Sequence, residues 1–282
     1  MSGGETIEEE EVQEYEEKVD GEESQEECQE ECQEENSTRE KLIGVLTSYG
    51  HSEEELKDLT NDKLIRIAKE ETSKDKELSD VVNEPGLYER FIEKLPSSTR
   101  WVIEAIQGLL DIEKDNLYKK IIRHDDVVLL FPGLFGIPYK QRFGNNVARV
   151  GTHDIDEIND IINFSIYVNG KKPGIIGYSG GSKRINDYID KYGGDNVGDT
   201  LILSGLVKVP GAYHIDAEKD RVIPFFRNLY GLPDFVPNEV MKDKGHWDLV
   251  YNPSVIRKVD GYLTNNNSTS FHTFCSFHEQ SP

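Results

Sequence analysis

The sequence predicts an α/β fold, a mostly parallel sheet with helices packed against it, and three observations lead there. Val127–Phe131 and Thr200–Leu203 are short, almost wholly apolar runs with β-branched members, the way strands buried on both faces of a parallel sheet read. Helical spacing recurs between such runs, most clearly at Ile155, Ile158, Ile162 and Ile166, so strands alternate with helices. Finally, Ile175 and Ile176 lead into Gly177-Tyr178-Ser179-Gly180-Gly181, and helical spacing resumes at Lys183: a strand, a sharp turn and a helix in immediate succession.

From its beginning, the chain of 282 residues carries a net charge of −22 that is unevenly spread, since residues 1–40 hold 18 acidic and 2 basic side chains. Residues 1–37 repel one another and have almost nothing apolar to bury, so a disordered acidic tail is expected. The remainder is only mildly acidic, which argues against a nucleic-acid groove as its main business. No apolar run approaches the ~20 residues that a membrane-spanning helix needs. No basic and then apolar leader opens the chain, and two of its three cysteines lie in the acidic tract, so an intracellular, cytoplasmic setting is expected. Cys28 and Cys32 have no histidine beside them, and His272, Cys275 and His278 lack a fourth ligand; neither a metal nor a cofactor is expected.

Residues 38–72 read as two short helices around a turn at Gly50. Leu42, Ile43, Val45 and Leu46 give the first an apolar face, and Ser52 with Glu55 makes a capping box for the second, which carries Leu56, Leu59, Leu64, Ile65 and Ile67. Residues 73–83 read as a polar linker. The main domain, 84–264, opens with helical spacing over Gly86–Leu95 and Ser98–His124, where Trp101, Val102, Ala105, Ile106, Leu109 and Leu110 form one stripe and Leu117, Ile121 and Ile122 another. Whether these helices cap a site or complete the core is left open by the pattern. No strand is evident before residue 125. After Val127–Phe131 come a glycine- and proline-rich loop, Pro132–Pro138, and a short strand at Val147–Val150. The helix through Ile155 and Ile166 stops at Asn169-Gly170. Beyond the Ser179 turn, strands are expected at Thr200–Leu203, Ala212–Ile215 and Glu239–Lys242, then a closing helix at Pro253–Leu263 with Val255, Ile256, Val259 and Leu263 inward. Residues 265–282 lack periodicity and read as a flexible tail.

The chemistry centres on Ser179. A serine at the apex of such a turn holds its Oγ clear of the backbone, and glycines two before and two after it are needed because a Cβ there would strike the neighbouring strand or helix. The helix that follows aims free N–H groups and its positive end at the same space. A serine hydroxyl is a weak nucleophile at neutral pH, so it needs a base, and the base needs an orienting acid. His246 lies on the loop after the last expected strand, over the carboxyl edge of the sheet where ligands bind in open α/β folds. Asp220 lies on the loop after the strand before it, and Asp216, directly after that strand's expected end, is a second candidate acid.

Four segments, FPGLFG (131–136), GYSGGS (177–182), EKDRVIP (218–224) and KGHWDLVYNP (244–253), together resemble the α/β-hydrolase superfamily over residues 125–263. The resemblance implies a serine esterase or lipase-like activity on a small or lipid-like ester or thioester, with Ser179, His246 and Asp220 as catalytic triad. It also implies an oxyanion hole from the backbone N–H groups of Leu134 and Gly180, and a substrate pocket formed among Phe135, Ile137, Tyr139, Tyr178, Phe225 and Trp247. The sequence departs from the family in three places. The family's first two strands are not visible, so the sheet is expected to be reduced at its N-terminal side; Pro132 stands where a histidine often precedes the oxyanion-loop glycine; and the lid often inserted between TLIL and AYHI is missing. Residues 38–72 weakly resemble the helix-extension-helix hairpins, the SAP-like ones included, that some nucleic-acid and chromatin proteins carry; without a dense basic patch, docking of a protein partner is expected ahead of contact with nucleic acid. Two other readings of the same residues stand beside the esterase: a catalytically inactive hydrolase-fold scaffold, and a serine peptidase or amidase.

Overall fold

The computed structural model describes residues 35–75, 114–133 and 146–251, together with 256, 257, 259 and 261 of a further helical stretch. The acidic tail up to residue 34, the helices expected within 86–113, the loop from Leu134 and the tail after 264 lie outside the described residues. The chain divides into two compact units, 1–64 and 65–282.

In the first unit, helix α1 (35–48) and helix α2 (Glu53–Leu56) precede the start of α3 (Asn61–Lys74). Leu42, Leu46, Leu56 and Leu64 are buried, and the capping box forms as expected, Ser52 Oγ accepting from Glu55 N–H. Where one second helix was expected, the chain breaks between Leu56 and Asn61, and the reason lies across the turn on α1. The Arg39 guanidinium donates to the carbonyls of Leu56 (3.3 Å), Lys57 (2.7 Å) and Leu59 (2.8 Å) and to Asn61 Oδ1 (2.8 Å). It thus gathers the carbonyls at the end of α2, of which Leu56 O also accepts from Leu59 N–H at 3.1 Å. Helix α3 then runs to Lys74, past the point where the linker was expected to begin; Lys74 pairs with Glu70 at 2.8 Å, the favourable i,i+4 order.

The second unit is α/β. Helix α4 (Lys114–Arg123) is followed by β1 (Val128–Phe131), β2 (Val147–Arg149), α5 (Ile155–Asn169), β3 (Gly174–Tyr178), α6 (Gly181–Tyr192), β4 (Thr200–Leu203), β5 (Tyr213–Ala217), α7 (Val222–Leu229), β6 (Glu239–Met241) and α8 (Asp248–Tyr251). The six strands form one sheet in the order β2-β1-β3-β4-β5-β6, every described pair parallel. Alternate residues of its strands, Val128 and Leu130, Ile176 and Tyr178, Leu201 and Leu203, Ile215 and Ala217, share one core cluster with Leu249, Val250 and Val259. Leu129, Phe131, Ile175 and Ile202 face the other way and are equally buried, which is why the strands read as continuous rather than alternating. Asp154 caps α5 at Asp156 N–H, and Gly170 closes it at φ +68°, a left-handed turn suited to glycine.

Two helices escaped the sequence reading. Pro224 made 218–224 look like loop, yet it sits in the first turn of α7, where a missing N–H costs nothing. Helix α8 is a single turn, too short to show a period. No helix among the described residues is long and apolar enough to cross a membrane.

The strand order reverses between β1 and β3, since the chain moves outward to β2 and then returns to the other side of β1. Open α/β sheets bind ligands at this crevice, outside the carboxyl ends of the strands. Phe131 and Gly177 are partners across it, so the loop after β1 and the turn after β3 emerge side by side. They touch closely: a Cβ on Gly181 would stand 2.0 Å from Phe131 O and 2.7 Å from its carbonyl carbon. Backbone cannot move aside as a side chain can, so Gly181→Ala is expected to lose about 3 kcal/mol or more of stability. Gly44→Ala, with nothing within 4 Å, should lose none. Urea denaturation of the two variants measures the difference.

Candidate active site

Ser179 follows β3 directly and holds φ at +53°, a conformation L-residues rarely adopt. Its peptide groups are tied on every side. Its N–H donates to Leu203 O at 3.0 Å; its carbonyl accepts from the N–H groups of Ser182 and Leu206, both at 3.2 Å, and from Ser182 Oγ at 2.8 Å. The flanking glycines have steric causes. A Cβ on Gly177 would come within 2.6 Å of both Ile185 and Ile202, and one on Gly133 within 2.9 Å of Ser179 Cβ. Gly180 opens α6, whose N-terminal end faces the serine.

The second part of the site is built 26 residues apart in sequence, where His246 Nδ1 meets Asp220 Oδ2 at 2.7 Å, both side chains buried. Asp220 uses its two oxygens for different tasks. Oδ1 accepts from the N–H groups of Val222 (2.8 Å) and Ile223 (3.1 Å), capping α7, and Oδ2 is left for the imidazole. Burial pushes the Asp220 carboxyl up, but the hydrogen bond and charge of His246, the nearby Ser204 hydroxyl and the Ile223 N–H outweigh it and hold its pKa below the ordinary value. The bond assigns the tautomer: with Nδ1–H donating to a carboxylate, Nε2 is the acceptor. Two loops are laced together to make this contact, Lys219 N–H donating to Lys244 O at 2.8 Å and Asp243 N–H to Glu218 Oε2 at 2.9 Å.

Asp216, the other candidate acid, is not the partner. It lies within β5, on the opposite face from Ile215 and Ala217, and approaches Arg227 at 3.7 Å. Burial raises its pKa, the Arg227 charge opposes that, and the Asp220 charge adds to it.

Ser179 and His246 line one pocket open to solvent, with Gly133, Tyr178, Gly180, Leu206, Val222, Ile223, Phe226 and Trp247. No hydrogen bond joins Ser179 Oγ to the imidazole among the described residues. Tyr178 is 1% exposed and supports His246 from below, ring to ring at 5.0 Å and with its hydroxyl donating to His246 O at 3.3 Å. Trp247 meets the imidazole edge-on at 5.1 Å. Leu134, Phe135, Ile137 and Tyr139 lie outside the described residues. Phe225 points outward, 61% exposed, while its neighbour Phe226 lines the pocket. The sequence reading also passed over Ser182, Arg184 and Arg227. Ser182 is fully buried, and its hydroxyl both donates to Ser179 O and accepts from Leu206 N–H at 2.8 Å. Its place three residues after Ser179 was the only signal available. Among the described residues no cluster of His, Cys, Asp and Glu is suited to a metal ion.

No protein-family model matches the chain, and neither does any curated protein.

The Asp220 carboxylate predicts its own pH dependence. Its folded pKa is depressed from 3.8, so its stabilisation is complete above that value and is lost as pH falls through the folded one. The stabilisation that the parent gains over Asp220→Asn from this carboxylate should therefore shrink as pH falls below about 4. A series of urea melts across pH measures it.

Proposed function

We propose that this protein is a serine hydrolase of the α/β-hydrolase type that cleaves a carboxylic ester or thioester through an acyl-enzyme on Ser179. One observation carries the reading: a half-buried serine in a strained backbone conformation and a buried histidine–carboxylate pair at 2.7 Å open into the same largely apolar pocket. The sheet adds to it. If the family's first two strands are lacking, β5 and β6 take the places of its seventh and eighth, after which that family carries its acid and its histidine; Asp220 and His246 follow β5 and β6.

The chemistry follows from the protonation states. His246 Nε2 removes the Ser179 proton as Oγ attacks the carbonyl carbon, and Asp220 holds the tautomer and stabilises the imidazolium. The negative charge on the carbonyl oxygen is met by Gly180 N–H at the start of α6 and, on the family's pattern, by Leu134 N–H, donors each worth ~3 kcal/mol in the barrier. The imidazolium then protonates the leaving group, and water repeats the sequence on the acyl-enzyme. The serine–histidine bond forms as substrate seats, as it often does where the empty site is looser. Leu206, Val222, Ile223 and Phe226 offer the substrate's apolar part a wall without hydrogen-bonding side chains.

The unbonded serine is also what a catalytically inactive scaffold of this fold has, and one experiment separates the two readings. A fluorophosphonate probe should label the parent protein, and Ser179→Ala should abolish labelling. Asp220→Asn should slow it by roughly 10⁴-fold, the effect of reversing the histidine tautomer. A parent that takes up no probe and turns over no p-nitrophenyl ester supports the scaffold; labelling that survives Ser179→Ala removes Ser179 from the role.

A further inference from the structure

Arg184 lies on α6, five residues beyond Ser179, and is 5% exposed. Its guanidinium donates to the carbonyls of Val150 (3.2 Å) and Thr152 (2.8 Å), just past β2, and to Pro132 O, just past β1. Its carbon stands 5.7 Å from the centre of the Phe131 ring. Among the described residues no carboxylate pairs with it, and the Arg149 charge works against it. A buried cation held on carbonyl oxygens alone is an expensive way to fill space that a methionine would fill at lower cost. What a guanidinium supplies and a methionine does not is a rigid planar fork that fixes several acceptors at once.

The acceptor that matters is Pro132 O. The Pro132–Gly133 peptide is planar and trans, so fixing its carbonyl on one side fixes the Gly133 N–H on the other. Gly133 lies against the serine: a Cβ there would be 3.2 Å from Ser179 Oγ. Arg184 and Ser179 therefore belong to one rigid piece, the turn and its helix, and Arg184 is that piece's hold on the backbone facing the hydroxyl.

We propose that Arg184 is a positioning residue for the reaction, anchoring the Pro132–Gly133 peptide so that the backbone at the pocket wall keeps a fixed distance from Ser179 Oγ. The inference rests on the serine-hydrolase reading. Displacing such a wall by about 1 Å costs on the order of 100-fold in rate even when the fold survives.

The test uses the full chain with Arg184→Met and Arg184→Lys. The readouts are the fluorophosphonate labelling rate, kcat and KM on a p-nitrophenyl ester, and circular dichroism with thermal melting. Arg184→Met should remain folded, lose on the order of 100-fold in kcat and labelling rate, and keep KM within roughly threefold. Arg184→Lys, which keeps the charge and reaches one carbonyl, should recover part of the loss. A folded Arg184→Met that reacts at the parental rate overturns the proposal. So does an effect confined to melting temperature, since that is what a purely structural residue produces. Should Arg184→Met fail to fold, Arg184→Lys decides: slower labelling per folded molecule supports the role, and a parental rate overturns it. An unlabelled parent overturns the hydrolase reading itself, whereas a labelled parent with an unaffected Arg184→Met overturns only the positioning role.

Discussion

The conformation of Ser179 is the constraint from which the rest of the second unit follows. A non-glycine residue at φ +53° costs of order 1–3 kcal/mol and persists only where its surroundings over-determine it. Here Leu203 O, Ser182 Oγ, Ser182 N–H and Leu206 N–H hold both sides of the residue's backbone. Because the turn is this sharp, β3 and α6 stand nearly on top of each other, and the chain has no room for side chains at 177, 181 and 133. The glycines are thus consequences of one backbone angle.

Holding the turn requires its neighbours to be held too, and two buried arginines do that on either side. Arg184 ties the turn's helix to the ends of β1 and β2. Arg227, on α7, donates to the carbonyls of Gly205 (2.7 Å) and Leu206 (3.2 Å) after β4, approaches Asp216 on β5 and stacks 4.1 Å from the Phe235 ring. Burial pushes the Arg184 guanidinium down to about 10, aided by Arg149, which still leaves it protonated at neutral pH. Guanidinium suits this work because its donors lie in one plane and reach acceptors on different loops. The described carbonyls just past β1, β2 and β4 are therefore tied to the helices behind them.

Asp220 shows how one side chain serves fold and site together. Its Oδ1 closes the start of α7, so α7 cannot form in place without orienting Oδ2 toward His246. The same helix brings Val222, Ile223 and Phe226 to the pocket. A loop reading of 218–224 named Asp220 as a candidate but hid the helix, because proline signals a break unless its position in the first turn is known.

By itself the sequence determined the α/β class, the buried strands and the turn at Ser179, because these rest on short-range sterics and on periodicity that survive without knowledge of neighbours. It also named Asp220, with Asp216 second, and His246 as candidate site residues. Only the tertiary structure decided between the two carboxylates, since a strand's face and a contact across 26 residues depend on where β5 ends and which loops lie against it. The arginines were invisible for the same reason: a buried cation satisfied by carbonyls leaves no pattern in the chain, because its partners are backbone atoms that every residue possesses.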